Sequence, residues 1–276
     1  MSVGPYASPR RATLATRLQL GLVLLVILAP VAWMALSSFK EASAVTAYPP
    51  RLIFAPTLEN YRDLIGHSDF LAYALNSCIV AGGSTLLGLL LGVPAAFAVS
   101  YHRITWPANM LLAARMAPGT LYLLPWFVAF SALGLVGSLW ALILTHTVIT
   151  MPMIVWILLP YFDAVPREIY ESAVIDGARP PRIFAFVALP LAAPGIVVST
   201  IIAFVFSWNY FLFALVLSSF NSKTLVVAAF NYVGEGVTGW GALLSASVLI
   251  ALPPVLLAVF VQKWLMAGLA RGAVKG

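Results

Sequence analysis

Residues 163–190 read DAVPREIYESAVIDGARPPRIFAFVALP, a polar stretch with long apolar runs on both sides. It holds four of the nine acidic residues, Asp163, Glu168, Glu171 and Asp176, and three of the fifteen basic ones, Arg167, Arg179 and Arg182. Pro166 suits the first turn of a helix, where its missing N–H would have no partner anyway. Asp163 and Glu168 lie near that start, where the helix dipole favours anions. The spacing predicts a helix over 167–175, with Ile169, Ala173 and Asp176 on one face. Gly177 stops it, because glycine takes a positive φ at no steric cost. Pro180 and Pro181 open a second short helix with Phe184, Val187 and Ala188 as its apolar stripe. Leu189-Pro190-Leu191 then returns the chain to an apolar run. The stretch therefore reads as two short helices with an exposed knuckle at Asp176-Gly177-Ala178. On physical grounds alone it is either a docking device for a soluble partner or a hairpin resting on lipid headgroups.

The runs around this island set the fold class. The chain of 276 residues is 62% hydrophobic and 9% charged, with a mean hydropathy of +0.99. Soluble domains carry about 25% charge, so the solvent for most of this surface is a bilayer. Apolar runs long enough to cross it occupy 18–39, 70–101, 110–133, 139–162, 191–218 and 242–265, each meeting the roughly 20 residues needed. The second is over-long and must tilt or begin outside the lipid. The expected fold is an all-α polytopic membrane protein with six spans. Its parts are a tail over 1–17, a first span over 18–39, a loop over 40–69, one membrane domain over 70–267 containing the hairpin, and a tail over 268–276.

Six spans place both termini on one side, and charge names the side. Arg10, Arg11, Arg17, Arg103, Arg167, Arg179, Arg182, Lys263, Arg271 and Lys275 fall on the face of the termini and the island; Lys40, Arg51, Arg62 and Lys223 fall on the other. The positive-inside rule puts the first face in the cytoplasm. Topology and headgroups account for the net charge of +6, and no nucleic-acid surface is read from it. The first run is too long for a cleaved leader, and no small-residue cleavage site follows Trp33-Met34-Ala35-Leu36. Cys78 is the single cysteine and reads as an apolar packing residue. Residues 1–13 read as disordered. In the loop over 40–69, Thr57 is expected to cap a helix over 58–64. The second sizeable external loop is 220–240. The connection 134–138 is so short that the spans it joins must be antiparallel neighbours.

The absences narrow the function. Every acid falls outside the apolar runs, so no carboxylate is available inside the membrane as a proton or cation site of an ion-coupled transporter. There is no G-x-x-x-x-G-K-[ST] phosphate loop, no H-E-x-x-H and no Cys/His cluster. The histidines, His67, His102 and His146, are far apart in sequence. No cofactor or metal is expected on the chain, and energy for any pumping must come from another one.

The island also carries a specific resemblance. Glu171-Ser172-Ala173, Gly177 four residues after Ala173, and Val187-x-Leu189-Pro190 resemble the E-A-A-x3-G-x9-I-x-L-P motif of bacterial ABC-importer permeases. Ser172 stands for the middle Ala and Val187 for Ile; every spacing matches. Asn76-Ser77, Arg115-Met116-x-Pro118, Gly134-Leu135 and Ser207-Trp208-Asn209 look like the carbohydrate subclass of these permeases. The ending Gly268-Leu269-x-x-Gly272-Ala273-Val274-Lys275-Gly276 is similar to that of the smaller maltose-type permease subunit. Two positions depart: Tyr210 follows Trp-Asn where the family commonly has an acid, and Gly137 stands near another usual acid.

The resemblance implies a non-enzymatic subunit in a bacterial inner membrane that forms half of a pathway for a sugar or sugar-like solute. It implies a second homologous permease, a dimer of an ABC ATPase that binds ATP and Mg, and an external solute-binding protein. Glu171 would pair with a basic residue of the ATPase, Ala173 and Gly177 would allow close approach, and Asp176 and Ala178 would line the knuckle. Arg115 reads either as snorkelling to the interface or as part of gating or of a polar network with the partner permease, which makes it a candidate for the substrate pathway. Trp208, Asn209 and Tyr210, with Asn76, are candidates for the substrate pathway; helix packing is the competing reading. Gly88-x-x-x-Gly92 permits close helix approach. A secondary transporter, a channel or a permease for a non-carbohydrate solute is the alternative, and a membrane-bound enzyme would need a catalytic cluster that is not visible.

Overall fold

A computed structural model describes residues 13–66, 68–234 and 239–272. The expectations for the N-terminal dozen residues, His67, Glu235 and the last four residues lie outside the described residues. Every regular element among the described residues is helical: α1 (Leu14–Ser37), α2 (Ala42–Val45), α3 (Glu59–Gly66), α4 (Phe70–His102), α5 (Trp106–Met116), α6 (Gly119–Ala132) and α7 (Leu139–Asp163) form the first half. The second half comprises α8 (Arg167–Ile175), α9 (Pro180–Ile183), a π turn (Phe184–Ala188), α10 (Leu189–Trp208), α11 (Leu212–Leu217), a 3-10 turn (Phe220–Ser222), α12 (Leu225–Gly234) and α13 (Trp240–Gly272).

Among the described residues five helices are long and apolar enough to cross a bilayer, and α5 with α6 counts as a sixth crossing only as a bent pair. The run expected as the third span, 110–133, is thus divided between two helices. The two helices meet at 93°. Pro118 is the cause: it pushes the preceding residue out of the α region, and Ala117 sits at φ −67°, ψ 134°. A carbonyl freed near the elbow is satisfied locally, because the Tyr122 hydroxyl donates to Ala114 O at 2.7 Å.

The fifth apolar run is also broken. α10 ends at Trp208 and α11 starts at Leu212. The Asn209 side-chain amide donates to Val205 O at 2.8 Å, a bond that competes with continuation of the backbone ladder. The expected loop over 220–240 is largely helix, since α12 fills Leu225–Gly234.

At the centre, α4 and α7 pack along most of their length, with α10 laid against both. Gly88 and Gly92 make this approach possible, as expected. A Cβ on Gly88 would lie 2.9 Å from Ile154 Cδ1, and one on Gly92 would lie 3.0 Å from Ile154 Cγ2. Ile154, Val155, Leu158 and Phe162 are buried behind them. α1 is exposed along nearly all its apolar length, as befits a helix solvated by lipid tails.

The end of α1 is fastened to the segment before α4. Asn60 on α3 donates to Ser38 O at 2.9 Å and Lys40 O at 2.8 Å. Lys40 is only 2% exposed, and its ammonium lies 4.2 Å from the Trp33 ring centroid and 5.1 Å from that of Phe54. Two aromatic faces offset part of the cost of burying that cation. Thr57 does cap α3, accepting from Glu59 N at 3.1 Å.

Candidate functional site

The island folds as a helical hairpin whose first helix matches the expected bounds. α8 starts after Pro166, which takes the N-cap position rather than the first turn, and ends at Ile175. Gly177 has φ +81°. Its N–H donates to Val174 O at 2.9 Å, and the Ala178 N–H donates to Ala173 O at 2.9 Å. These two bonds make a complete Schellman cap, so the knuckle is a built terminus rather than a frayed one. A Cβ on Gly177 would meet nothing within 4 Å. The demand for glycine within this chain is therefore conformational.

Glu171, Asp176 and Gly177 are exposed, and Ala173 and Ala178 are half-buried. Ile175 stands 86% exposed beside them, with Val174 and Ile169 also open. The hairpin tip thus presents carboxylates and aliphatic side chains together, and three large apolar residues in such a row are costly to leave in water.

The other side of α8 is anchored by a residue the sequence reading passed over. Tyr170 is buried, with its ring edge-on to Phe97 at 6.2 Å and to Tyr101 at 5.6 Å. Phe97, on α4, also meets Phe162 of α7 at 5.8 Å and Phe184 of the π turn at 5.2 Å. Four elements converge on one ring. Burial pushes the Tyr170 phenol above its ordinary pKa, and the Asp163 carboxylate adds to the shift. The Tyr170 hydroxyl has no hydrogen-bond partner among the described residues. Asp163, expected to serve the start of α8, instead ends α7 and accepts from the Ser100 hydroxyl of α4.

The second helix of the hairpin differs from the expectation of a separate short element. From Pro180 it runs without interruption into α10, giving one 29-residue rod to Trp208. Pro190 cannot donate to the carbonyl four residues back, and its ring crowds that turn. The π turn absorbs the defect: the Leu189 N–H reaches back five residues to Phe184 O, as π bulges do.

The pathway candidates separate into two groups. Arg115 and Tyr210 line one cavity of about 280 Å³, with Tyr122, Trp126, Phe206 and Phe213 among its walls. The Arg115 guanidinium lies 5.3 Å from the Phe206 ring centroid, and one of its nitrogens is 3.5 Å from Met153 Sδ. Gly119 at the elbow leaves room for Tyr210, whose hydroxyl would be 2.6 Å from a Cβ there. Trp208 is buried and donates from Nε1 to Ile250 O at 3.0 Å, tying α10 to α13. Asn209 is exposed and bonds its own helix. Asn76 holds the turn before α12, donating to Asn221 O at 2.9 Å and Lys223 O at 3.0 Å.

Beside the cavity lies a buried polar cluster that the sequence reading did not assemble. His146 Nδ1 is 2.8 Å from Ser207 Oγ, and the Ser84 hydroxyl donates to Ser207 Oγ at 2.8 Å. The His146 ring meets the Tyr210 ring at 5.3 Å. One side chain each from α7, α10 and α4 is joined here. The signal was the run Thr145-His146-Thr147 with Thr150, polar residues at helical spacing inside an apolar run.

Comparisons with known proteins agree on a family. Residues 71–271 match the family described as binding-protein-dependent transport system inner membrane component. The sulfoquinovosyl glycerol transport system permease protein SmoH of Agrobacterium fabrum is 34% identical, covering 90% of this chain and 88% of that one. The trehalose/maltose transport system permease protein MalG of Thermococcus litoralis is 33% identical, covering 92% and 94%. The inner membrane ABC transporter permease protein YcjP of Escherichia coli is 34% identical, covering 93% and 94%. In fold, the chain is similar to a chain of a bacterial ABC transporter involved in the import of alginate, with TM-score 0.76, 20% identity and coverage of 94% and 99%. With apolar helices and family match in agreement, the chain belongs to the inner membrane components of binding-protein-dependent transport systems, as a multi-pass permease of the ABC transporter class.

Proposed function

We propose that this chain forms half of the transmembrane pathway of an ATP-driven importer for a sugar or sugar-like solute. The observation that carries the reading is the hairpin tip: a Schellman-capped helix with Glu171 and Ile175 exposed and Tyr170 buried against α4. In this reading the tip lies in the cytoplasm and docks into an ABC ATPase dimer that holds ATP and Mg. Glu171 pairs with a basic residue there, and the knuckle 176–178 enters a cleft. Closure of the ATPase pair pushes on α8, and the Phe97 junction passes the push to α4, α7 and α10. A partner can shift such an equilibrium only through contacts that differ between its states.

A second homologous permease completes the pathway, and a solute-binding protein delivers solute to the far end, where the turn before α12 is held by Asn76. The relatives named for trehalose, maltose and sulfoquinovosyl glycerol transport support a carbohydrate solute. The test is expression of the chain with the ATPase, permease and binding protein encoded beside it. Co-purification of the ATPase, and sugar uptake that stops when ATP is depleted, are expected. Uptake that survives ATP depletion but collapses with the proton gradient would overturn the reading.

A further inference from the structure

Arg115 is a cation near the middle of the membrane, and among the described residues no carboxylate pairs with it. Its guanidinium touches Met153. Met153 lies ten residues from the end of α7 at Asp163, about 15 Å at 1.5 Å per residue, which is roughly the midplane of a 30 Å core. No Asp or Glu occurs between Asp69 and Asp163, or between Asp176 and Glu235. Asp163, the acid at the near end of α7, is engaged with Ser100.

Arginine keeps its charge in proteins and presents five N–H donors. A sulfur atom and the face of Phe206 satisfy little of that capacity. An intramembrane charge left this way is costly and marks an ion or substrate path by default. The guanidinium also borders an open space of about 280 Å³, near the lower end of the ~300–1,000 Å³ usual for ligand pockets. Five of the twelve lining residues are aromatic, and two of these, Tyr122 and Tyr210, carry hydroxyls, the former donating its proton to Ala114 O. Aromatic faces suit the C–H faces of a sugar ring, hydroxyls suit its OH groups, and a forked guanidinium suits a planar or tetrahedral oxyanion.

We infer that this cavity is a subsite for an anionic sugar, with Arg115 holding a carboxylate, sulfonate, sulfate or phosphate on the solute as it passes the elbow. The inference rests on the importer reading and narrows its solute. It is tested in cells that lack other sugar importers and express the complete transporter. Uptake is measured for matched labelled pairs: glucose and glucuronate, galactose and galacturonate, maltose and maltose 6-sulfate. At least one acid is expected to enter tenfold faster than its neutral twin. Arg115→Gln should lower that uptake at least tenfold, and Arg115→Lys, which keeps the charge but not the fork, should fall between Arg115→Gln and the unaltered chain, with complex abundance as the control for assembly. ATP-dependent uptake of neutral sugars alone, or acid uptake indifferent to Arg115→Gln, overturns the anionic subsite while leaving the importer standing. An acid requirement that follows the binding protein but not Arg115 assigns the guanidinium to the partner permease and also overturns it. Absence of ATP-dependent uptake of every sugar overturns the importer reading itself.

Discussion

The Tyr170 ring stands edge-on to the Phe97 ring with centroids 6.2 Å apart, and through that pair the polar hairpin is joined to the membrane core. Edge-to-face pairs contribute about 0.5–1.5 kcal/mol beyond simple burial. Tyr170→Ala is expected to cost about 3–5 kcal/mol, as for other large aromatic truncations. ATPase association should weaken along with it. Tyr170→Phe should be neutral or slightly stabilising, because the hydroxyl it removes is buried without a partner. Thermal denaturation of the detergent-purified complex checks both. Clear destabilisation by Tyr170→Phe would show that the hydroxyl has a partner in the assembled transporter.

Gly177→Ala separates backbone from docking. Its φ of +81° makes a Cβ cost about 1–2 kcal/mol, although the added methyl meets nothing in this chain. A small loss of thermal stability and a larger loss of uptake are therefore expected. Gly177→Trp should insert normally and abolish uptake. Wild-type uptake by Gly177→Trp at normal abundance would remove the knuckle from the docking surface.

Two glycines meet one isoleucine through different atoms, which gives a discriminating test. Gly88→Ala presses on Ile154 Cδ1, and Gly92→Ala presses on Ile154 Cγ2. Each should cost about 1–3 kcal/mol by overpacking. Ile154→Val removes Cδ1 and keeps the γ branch. It should therefore rescue Gly88→Ala in part and leave Gly92→Ala unrescued. A double-mutant cycle read by thermal stability decides the point.

Asn60 satisfies two carbonyls at the end of α1. Asn60→Leu should cost about 1–3 kcal/mol for the acceptors left bare. It should also open the segment between α1 and α3 to protease. An unchanged digestion pattern would mean that the Lys40 cage holds the segment alone.

Local features were legible in the sequence wherever a residue's own covalent structure decides. Gly177 announced its positive φ, Pro180 and Pro181 announced a helix start, and the extent of α8 followed from Pro166 and Gly177. Gly88 and Gly92 announced a close approach. Hydropathy, in contrast, measures how apolar a run is and carries no information on its direction. The runs containing Ala117-Pro118 and Asn209-Tyr210 therefore each read as one unbroken run, although Pro118 followed by Gly119 was a breaker in plain view. Tyr170 escaped notice for another reason: its partner Phe97 is 73 positions away, and nothing local marks it for a contact at that range. His146 had the local signal of its flanking threonines, but that signal does not name its partner Ser207, 61 positions away. Of the proposed pathway residues, the elbow brings Arg115 and Tyr210 to one cavity, a convergence that depends on the bend itself.

The uninterrupted rod from Pro180 to Trp208 makes the hairpin a lever. At 1.5 Å per residue its 29 residues span about 43 Å, so a tilt of roughly 5° about one end displaces the other by about 4 Å. Trp208 sits at that far tip, one residue beyond Ser207 and two before Tyr210. On the importer reading, a nudge of a few degrees at the base would displace Ser207 of the polar cluster and Tyr210 of the cavity together.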